Sequence, residues 1–310
     1  MKKLLLMVSA IAAVFTSAAK ADVTISGSAG LGVVNNGASS VQDFYTGGKI
    51  GFALSTTLDN GVAVSTSAAL TRDTNDAQAA GSAGFSGFTT LTFAGSSSSI
   101  TWGQDVDLAG EGAGGAGGAA SDLVDEGGYD NDYSAGLTKD SGGGFIFTTA
   151  VGDMSISASY LVQVTPENGN VVRMGDTTDT TATGVSVSVP FGDASVSVGY
   201  ASVEGDDNVS GAVLTYPVSG GSLAVGYRSV SDSTNESSWS VKYSTSLGTA
   251  AVAVSHAASK VGTNTGSTTE AQISQSLGGG ASIFAELQSV TDTAADTDGS
   301  NFAIGTTYSF

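Results

Sequence analysis

Cysteine is absent from the 310-residue chain, which removes disulfide frameworks, thiolate metal sites and cysteine nucleophiles together, although an oxidising compartment stays open. Basic residues are few: 10 Lys and Arg stand against 29 Asp and Glu, a net charge of −19. A nucleic-acid partner bound through phosphate neutralisation is thereby excluded. Charged residues of both signs make up only 13%, about half the share of an ordinary soluble domain. After Phe15 no apolar run approaches the ~18 residues of a membrane-spanning helix, and helical periodicity is missing throughout. What the chain has instead is 44 glycines and a hydrophobic content of 40%, mostly Ala and Val dispersed among Ser, Thr and Gly.

The N-terminus reads as a processing signal. Met1-Lys2-Lys3 is a basic start, Leu4 to Phe15 is nearly all apolar, and Ala19-Lys20-Ala21 has the small-x-small shape of a secretory cleavage site. Residues 1–21 are therefore expected to be a signal peptide and 22–310 one mature domain. Losing Lys2, Lys3 and Lys20 leaves 7 basic against 29 acidic residues, or −22.

The mature chain alternates. Val23 and Ile25 share one parity with Ala29, Leu31 and Val33, while Thr24, Ser26 and Ser28 occupy the other, the period-2 signature of a half-buried strand. The same rule recurs at Ile50, Phe52 and Leu54, at Val185, Val187 and Val189, at Trp239, Val241 and Tyr243, and on to Phe302, Ile304, Tyr308 and Phe310. Short turns rich in Gly, Asp and Asn occur near 59–61, 95–98, 152–153, 192–193, 219–221, 248–249 and 278–280. Longer polar links occupy 35–45, 73–85, 105–143, 165–182, 204–207, 231–236, 260–267 and 292–299. Seven short turns and eight long links require sixteen strands. This even count, with both chain ends on the short-turn side, predicts an all-β, transmembrane, antiparallel up-and-down barrel with short periplasmic turns and long external loops.

A soluble sandwich would need bulky residues between its sheets, but the parity opposite the apolar one is Ser, Thr, Gly and Ala. A closed barrel satisfies every backbone donor and acceptor within the sheet, as lipid demands. The apolar parity then faces lipid or a neighbouring subunit. Sixteen strands enclose more space than side chains fill, so the interior holds water.

The end of the chain, Phe302-Ala303-Ile304-Gly305-Thr306-Thr307-Tyr308-Ser309-Phe310, resembles the C-terminal strand of outer-membrane barrels, which assembly machinery reads in that class. Further carriers of likeness are Asp22-Val23-Thr24-Ile25-Ser26-Gly27, Ile100-Thr101-Trp102-Gly103-Gln104-Asp105, the Phe191-Gly192-Asp193 hairpin and Leu277-Gly278-Gly279-Gly280-Ala281-Ser282-Ile283. In their order and spacing the mature chain resembles the alphaproteobacterial, Rhodobacter-type general porins. The resemblance implies a homotrimeric diffusion pore in the Gram-negative outer membrane, in contact with lipid and lipopolysaccharide and passing small hydrophilic solutes. It also implies a third external loop folded into the lumen, and calcium sometimes held by acidic loop groups.

The 105–143 link is the longest and occupies the place of that third loop. It carries Asp105, Asp107, Glu111, Asp122, Asp125, Glu126, Asp130, Asp132 and Asp140 against Lys139 alone. Folded inward, these acids would line a cation-preferring constriction; left outside, they are a solvated acidic surface. Parity places Lys49, Arg228 and Lys242 on the inner wall, leaves Arg72 at a strand end with either direction open, and adds Glu286 as an inward carboxylate. Seven basic residues are too few for a full basic cluster across the pore.

Asp105-Val106-Asp107 and Asp130-Asn131-Asp132 space two carboxylates as Ca²⁺-binding loops do, a pattern that solvated turn acids share. No cofactor is required. Gly110-Glu111-Gly112-Ala113-Gly114-Gly115 matches a dinucleotide-binding pattern by letter, but no Lys-Ser/Thr pair follows it, and loop packing explains it better. His256 has outward parity, and a lone histidine makes no triad. A general diffusion pore is the reading carried forward. Its rivals are a substrate-specific barrel channel, a barrel hydrolase and an acidic Ca²⁺-binding surface protein.

Overall fold

A computed structural model describes residues 22–35, 42–72, 83–110, 114–116, 141–164, 181–204, 208–231, 236–292 and 299–310. Residues 1–21, the expected leader, and, from the third link, Glu111, Asp122, Asp125, Glu126, Asp130 and Asp132 lie outside the described residues.

The described chain is all strand. Its elements are β1 (Asp22–Asn35), β2 (Gln42–Thr57), β3 (Ala63–Arg72), β4 (Ala83–Ser86), β5 (Thr90–Ala94), β6 (Ser98–Asp107), β7 (Ser141–Val151), β8 (Met154–Val164) and β9 (Ala182–Phe191). They continue with β10 (Ala194–Val203), β11 (Asn208–Val218), β12 (Gly221–Ser231), β13 (Glu236–Leu247), β14 (Ala250–Val261), β15 (Asn264–Gly278), β16 (Ala281–Asp292) and β17 (Gly299–Ser309). Strands adjacent in sequence pair antiparallel, β4 with β5 excepted, and β17 returns to β1, so the sheet closes. Both β4 and β5 pair with β3, which makes them two pieces of one wall strand and gives a sixteen-stranded barrel. Closure leaves no edge, the condition under which a sheet can stand in hydrocarbon.

Every short turn read from the sequence joins two strands here. Gly152 and Gly192 open two-residue turns with φ of 61° and 62°, a backbone that hairpin turns require and side chains resist. One long link is corrected. At 260–267 the ladder runs on through Lys260↔Thr265 and Val261↔Asn264 to a tight Gly262-Thr263 turn. The polar composition that suggested a loop belongs instead to a hairpin of β-compatible Ser and Thr. The third link is also shorter at both ends, since β6 runs to Asp107 and β7 begins at Ser141.

One discontinuity interrupts the wall. The register jumps from Ala69↔Ser86 to Ser65↔Thr92, so residues 87–91 lie opposite only 66–68. The Thr66 hydroxyl partly bridges the gap by donating to the Thr90 carbonyl at 2.6 Å.

The apolar parity faces out, with Ile25, Leu31, Ile50, Leu70, Val225, Ile273 and Ile304 all exposed. Exposed aromatics fall into two bands: Trp102, Phe145, Tyr160, Tyr200, Tyr227 and Trp239 towards the long-link end, and Phe191, Tyr216, Tyr308 and Phe310 towards the short-turn end. Such girdles mark the two membrane interfaces. His256 lies on this outer face, its ring 5.2 Å from that of Trp239 and its Nδ1 2.8 Å from the Thr269 hydroxyl.

Candidate functional site

A core exists, but it lies inside the barrel rather than within the sheet. Leu161, Ala182, Ala201, Val203, Val209 and Val230 are buried together on the inner wall. They share a face through the pairs Leu161↔Ala182, Ala182↔Val203, Ala201↔Val209 and Val209↔Val230. Apolar groups facing a water-filled lumen are unfavourable unless covered. Val106 and Leu108, 1% and 4% exposed, supply the cover. Burying a side chain such as Leu108 contributes about 1.5–3 kcal/mol towards holding the segment there.

From Leu108 the chain therefore turns inward, and its described residues 108–110 and 114–116 lie against the inner wall as a strap. The Ala109 amide donates to the Ser159 hydroxyl of β8 at 2.8 Å, and the Ala116 amide donates to the Ser240 hydroxyl of β13 at 2.7 Å. Between these anchors Gly110 lies against backbone atoms of Val185 and Tyr200, and Gly114 against Tyr227 and Arg228. Gly110 and Gly114 take φ of 84° and 102°. Gly110, the first glycine of the stretch that matches a nucleotide motif by letter, and Gly114 within that stretch are thus used for left-handed backbone and close approach.

Beyond the strap, inward residues of β14 to β17 form buried polar rows. The Ser255 hydroxyl donates to Glu270 at 2.9 Å, the Gln272 amide donates to Glu286, and the Asn301 amide donates to the Gln288 side-chain oxygen at 2.9 Å. Glu286 is 1% exposed and Gln288 3%. Buried polar groups persist only when hydrogen-bonded, which accounts for amide and carboxylate alternating across neighbouring strands. The inner faces of β1 to β3 differ: Thr24, Ser26, Ser28, Ser55, Ser65 and Ser67 are all exposed. The lumen thus has one sector covered and one sector open to water.

The three inward cations are not brought together. Lys49 is exposed on the open sector, between Ser28 and Thr71. Arg228 is 6% exposed, with its Cβ side turned to Gly114 of the strap. Lys242 is half-buried and sits opposite Ala224, whereas Arg228 sits opposite Ser238, so the inward row Gly226↔Ser240 lies between them. Glu236, Glu270 and Glu286 share this wall, which leaves the described lumen almost balanced in charge. For Arg72 the structure describes only backbone, in register with Gly48 and Ala83.

Asp105 and Asp107 lie in β6 rather than in the loop, exposed on either side of the buried Val106. Strand alternation around Val106 sets Asp107 on the face opposite the inner cluster, and a bulge between Gly103 and Val106 carries Asp105. Among the described residues no three His, Asp or Glu side chains gather as metal ligands.

The apolar inner cluster was not anticipated, although the sequence carries its trace. Tyr160-Leu161-Val162 is apolar on both parities, as expected where the inner face of a wall strand is also covered.

Many solved structures share this architecture. A porin refined at 1.8 Å resolution aligns with 93% of this chain and 100% of its own, at TM-score 0.68 and 19% identity. OmpT of Vibrio cholerae, in its trimer form, aligns over 94% and 99% at TM-score 0.67 and 10% identity. A Rh. blastica porin mutant aligns over 93% and 100% at TM-score 0.61 and 14% identity. At such identities the likeness concerns the fold. Among curated proteins nothing matches the chain. The family model of Gram-negative porins matches residues 8–310, and with it this chain belongs to the Gram-negative porins, barrel channels of the outer membrane.

Proposed function

We propose that the protein is a general diffusion pore for small hydrophilic solutes, assembled as a homotrimer and preferring cations. The open, hydroxyl-lined sector of β1 to β3, away from the β8 to β13 wall that the strap lies against, carries this reading, because it offers a water-filled path with no apolar slot to select a ligand. A substrate-specific channel would need amides, carboxylates or rings of varied chemistry exposed along the lumen to select one solute over another. The amide and carboxylate rows described here are buried and paired with each other. Passage down a gradient needs no catalyst.

Cation preference would come from Glu111, Asp122, Asp125 and Glu126, since the described wall is close to neutral. Asp130 and Asp132 are the pair that would hold Ca²⁺ loosely among the loops. Trimer formation is supported by the break at residues 87–91, where the ladder opens in the wall beside the exposed Phe85 and Phe88. Lipid tolerates irregular backbone only where protein covers it, so a neighbouring subunit suits this sector. A trimer form is also recorded for the OmpT barrel. The small-x-small run Ala19-Lys20-Ala21 supports cleavage of a leader after Ala21, and Phe310 fits recognition by barrel-assembly machinery.

Single-channel recording in planar bilayers tests the reading. Ohmic conductance rising in groups of three equal steps is expected; folded protein that conducts nothing would overturn it.

A further inference from the structure

Two wall glycines meet the strap directly. A Cβ built on Gly184 of β9 would run into the Ala109 carbonyl, and one on Gly226 of β12 would run into the Gly114 carbonyl. Both glycines are inward, since Gly184 pairs with Ser159 and Ala201, and Gly226 pairs with Ser240. Glycine inside a strand costs about 0.5–1 kcal/mol relative to alanine, and its usual justification is a close backbone approach. Here the approaching backbone is the constriction segment itself. On the β10–β11 wall between them, Gly199 and Gly211 pair with each other on the same inner face as Arg228, so the wall stays low along the strap's course.

We propose that Gly184 and Gly226 are positioning residues for permeation: their missing side chains are seats that fix how deeply the strap lies against the wall, and so fix the bore. The hydrogen bonds from Ala109 and Ala116 tie the ends of the strap, but they tolerate sliding of a rotatable hydroxyl. Backbone contact at a glycine does not, because one methyl group lifts the carbonyl away from the wall. This inference rests on the reading of the chain as an open pore.

The test is unit conductance and salt-gradient reversal potential of purified trimers carrying Gly184→Ala, Gly226→Ala or both. Gly48→Ala is the control, a strand glycine whose Cβ would meet only ordinary contact at 3.5 Å from the Ser28 carbonyl. The two seat variants are expected to show reduced unit conductance, or a larger flickering one if the strap leaves the wall, while the control conducts as wild type. A Ser159→Ala/Ser240→Ala double variant removes the two ties and keeps the seats: its channel noise is expected to rise while its main open level stays nearer the wild type's than that of either seat variant. Where a seat variant fails to fold, this variant still reads the claim, because loss of the wild-type open level with both glycines intact shows that the ties and not the seats set the bore. Unchanged conductance in folded Gly184→Ala and Gly226→Ala, or loss of the wild-type open level in the serine double variant, overturns the inference. Wild-type protein without conductance would instead sink the pore reading itself.

Discussion

Phe310 and Gly27 close the barrel by exchanging backbone hydrogen bonds, each amide donating to the other's carbonyl at 3.0 Å. The Phe310 ring lies where a Gly27 side chain would stand. The final residue is thus the last rung between β17 and β1, and its partner is glycine because the ring needs that space. Deleting Phe310 removes both hydrogen bonds, about 0.5–1.5 kcal/mol each, from the seam. The temperature at which folded barrels convert to unfolded monomer on a gel should fall, and Gly27→Val should lower it through displacement of the ring.

Leu108 holds the entrance of the strap in the inner cluster of Leu161, Val209 and Val230. Leu108→Ser forfeits most of that burial, about 1.5–3 kcal/mol. Unit conductance should rise and become noisy while the barrel's circular dichroism stays that of sheet. Leu161→Ala, by contrast, leaves a cavity and should cost about 2–5 kcal/mol in thermal or denaturant unfolding.

Lys49 is the exposed cation on the open sector, so it acts on passing ions with little shielding by protein. Lys49→Ala is expected to raise the cation/anion permeability ratio. Neutralising Asp122, Asp125 and Glu126 together is expected to lower it. Reversal potentials across a salt gradient check both, and an unchanged value for the triple variant would count against those acids facing the lumen.

Glu286, buried on the inner wall, accepts a hydrogen bond from the half-buried Gln272 amide. Glu286→Ala leaves that amide without its acceptor and should cost about 1–3 kcal/mol, whereas Glu286→Gln keeps an acceptor oxygen and should cost less. Thermal unfolding of the two variants in detergent gives the comparison.

The wall was legible in the sequence because its two faces meet different solvents: Ile50 and Phe52 against Lys49 and Gly51 already show which parity meets lipid. Turn chemistry was legible for the same local reason, as at Gly152 and Gly192. The Lys260 to Ser267 stretch misled, since Ser and Thr serve a strand in headgroups or water as well as they serve a loop. The break at residues 87–91 left no signal beyond a single Gly87, because it is set by how β3 meets two short strands. The strap's seats at Gly184 and Gly226 were hidden among 44 glycines, and only the approach of Ala109 and Gly114 distinguishes them. Asp105 and Asp107 read as loop residues in the sequence because nothing local announces that β6 continues past Gln104 through a bulge.

The claim beneath all of this is that hydrocarbon lies on one parity and water on the other. A chain free of cysteine allows it to be read position by position, with single cysteines at residues 49 to 54 of β2 in membrane-embedded protein. Positions 49, 51 and 53 should react with a small, charged, membrane-impermeant thiol reagent, and positions 50, 52 and 54 should not. Reaction at all six, at none, or with the opposite parity would contradict the account.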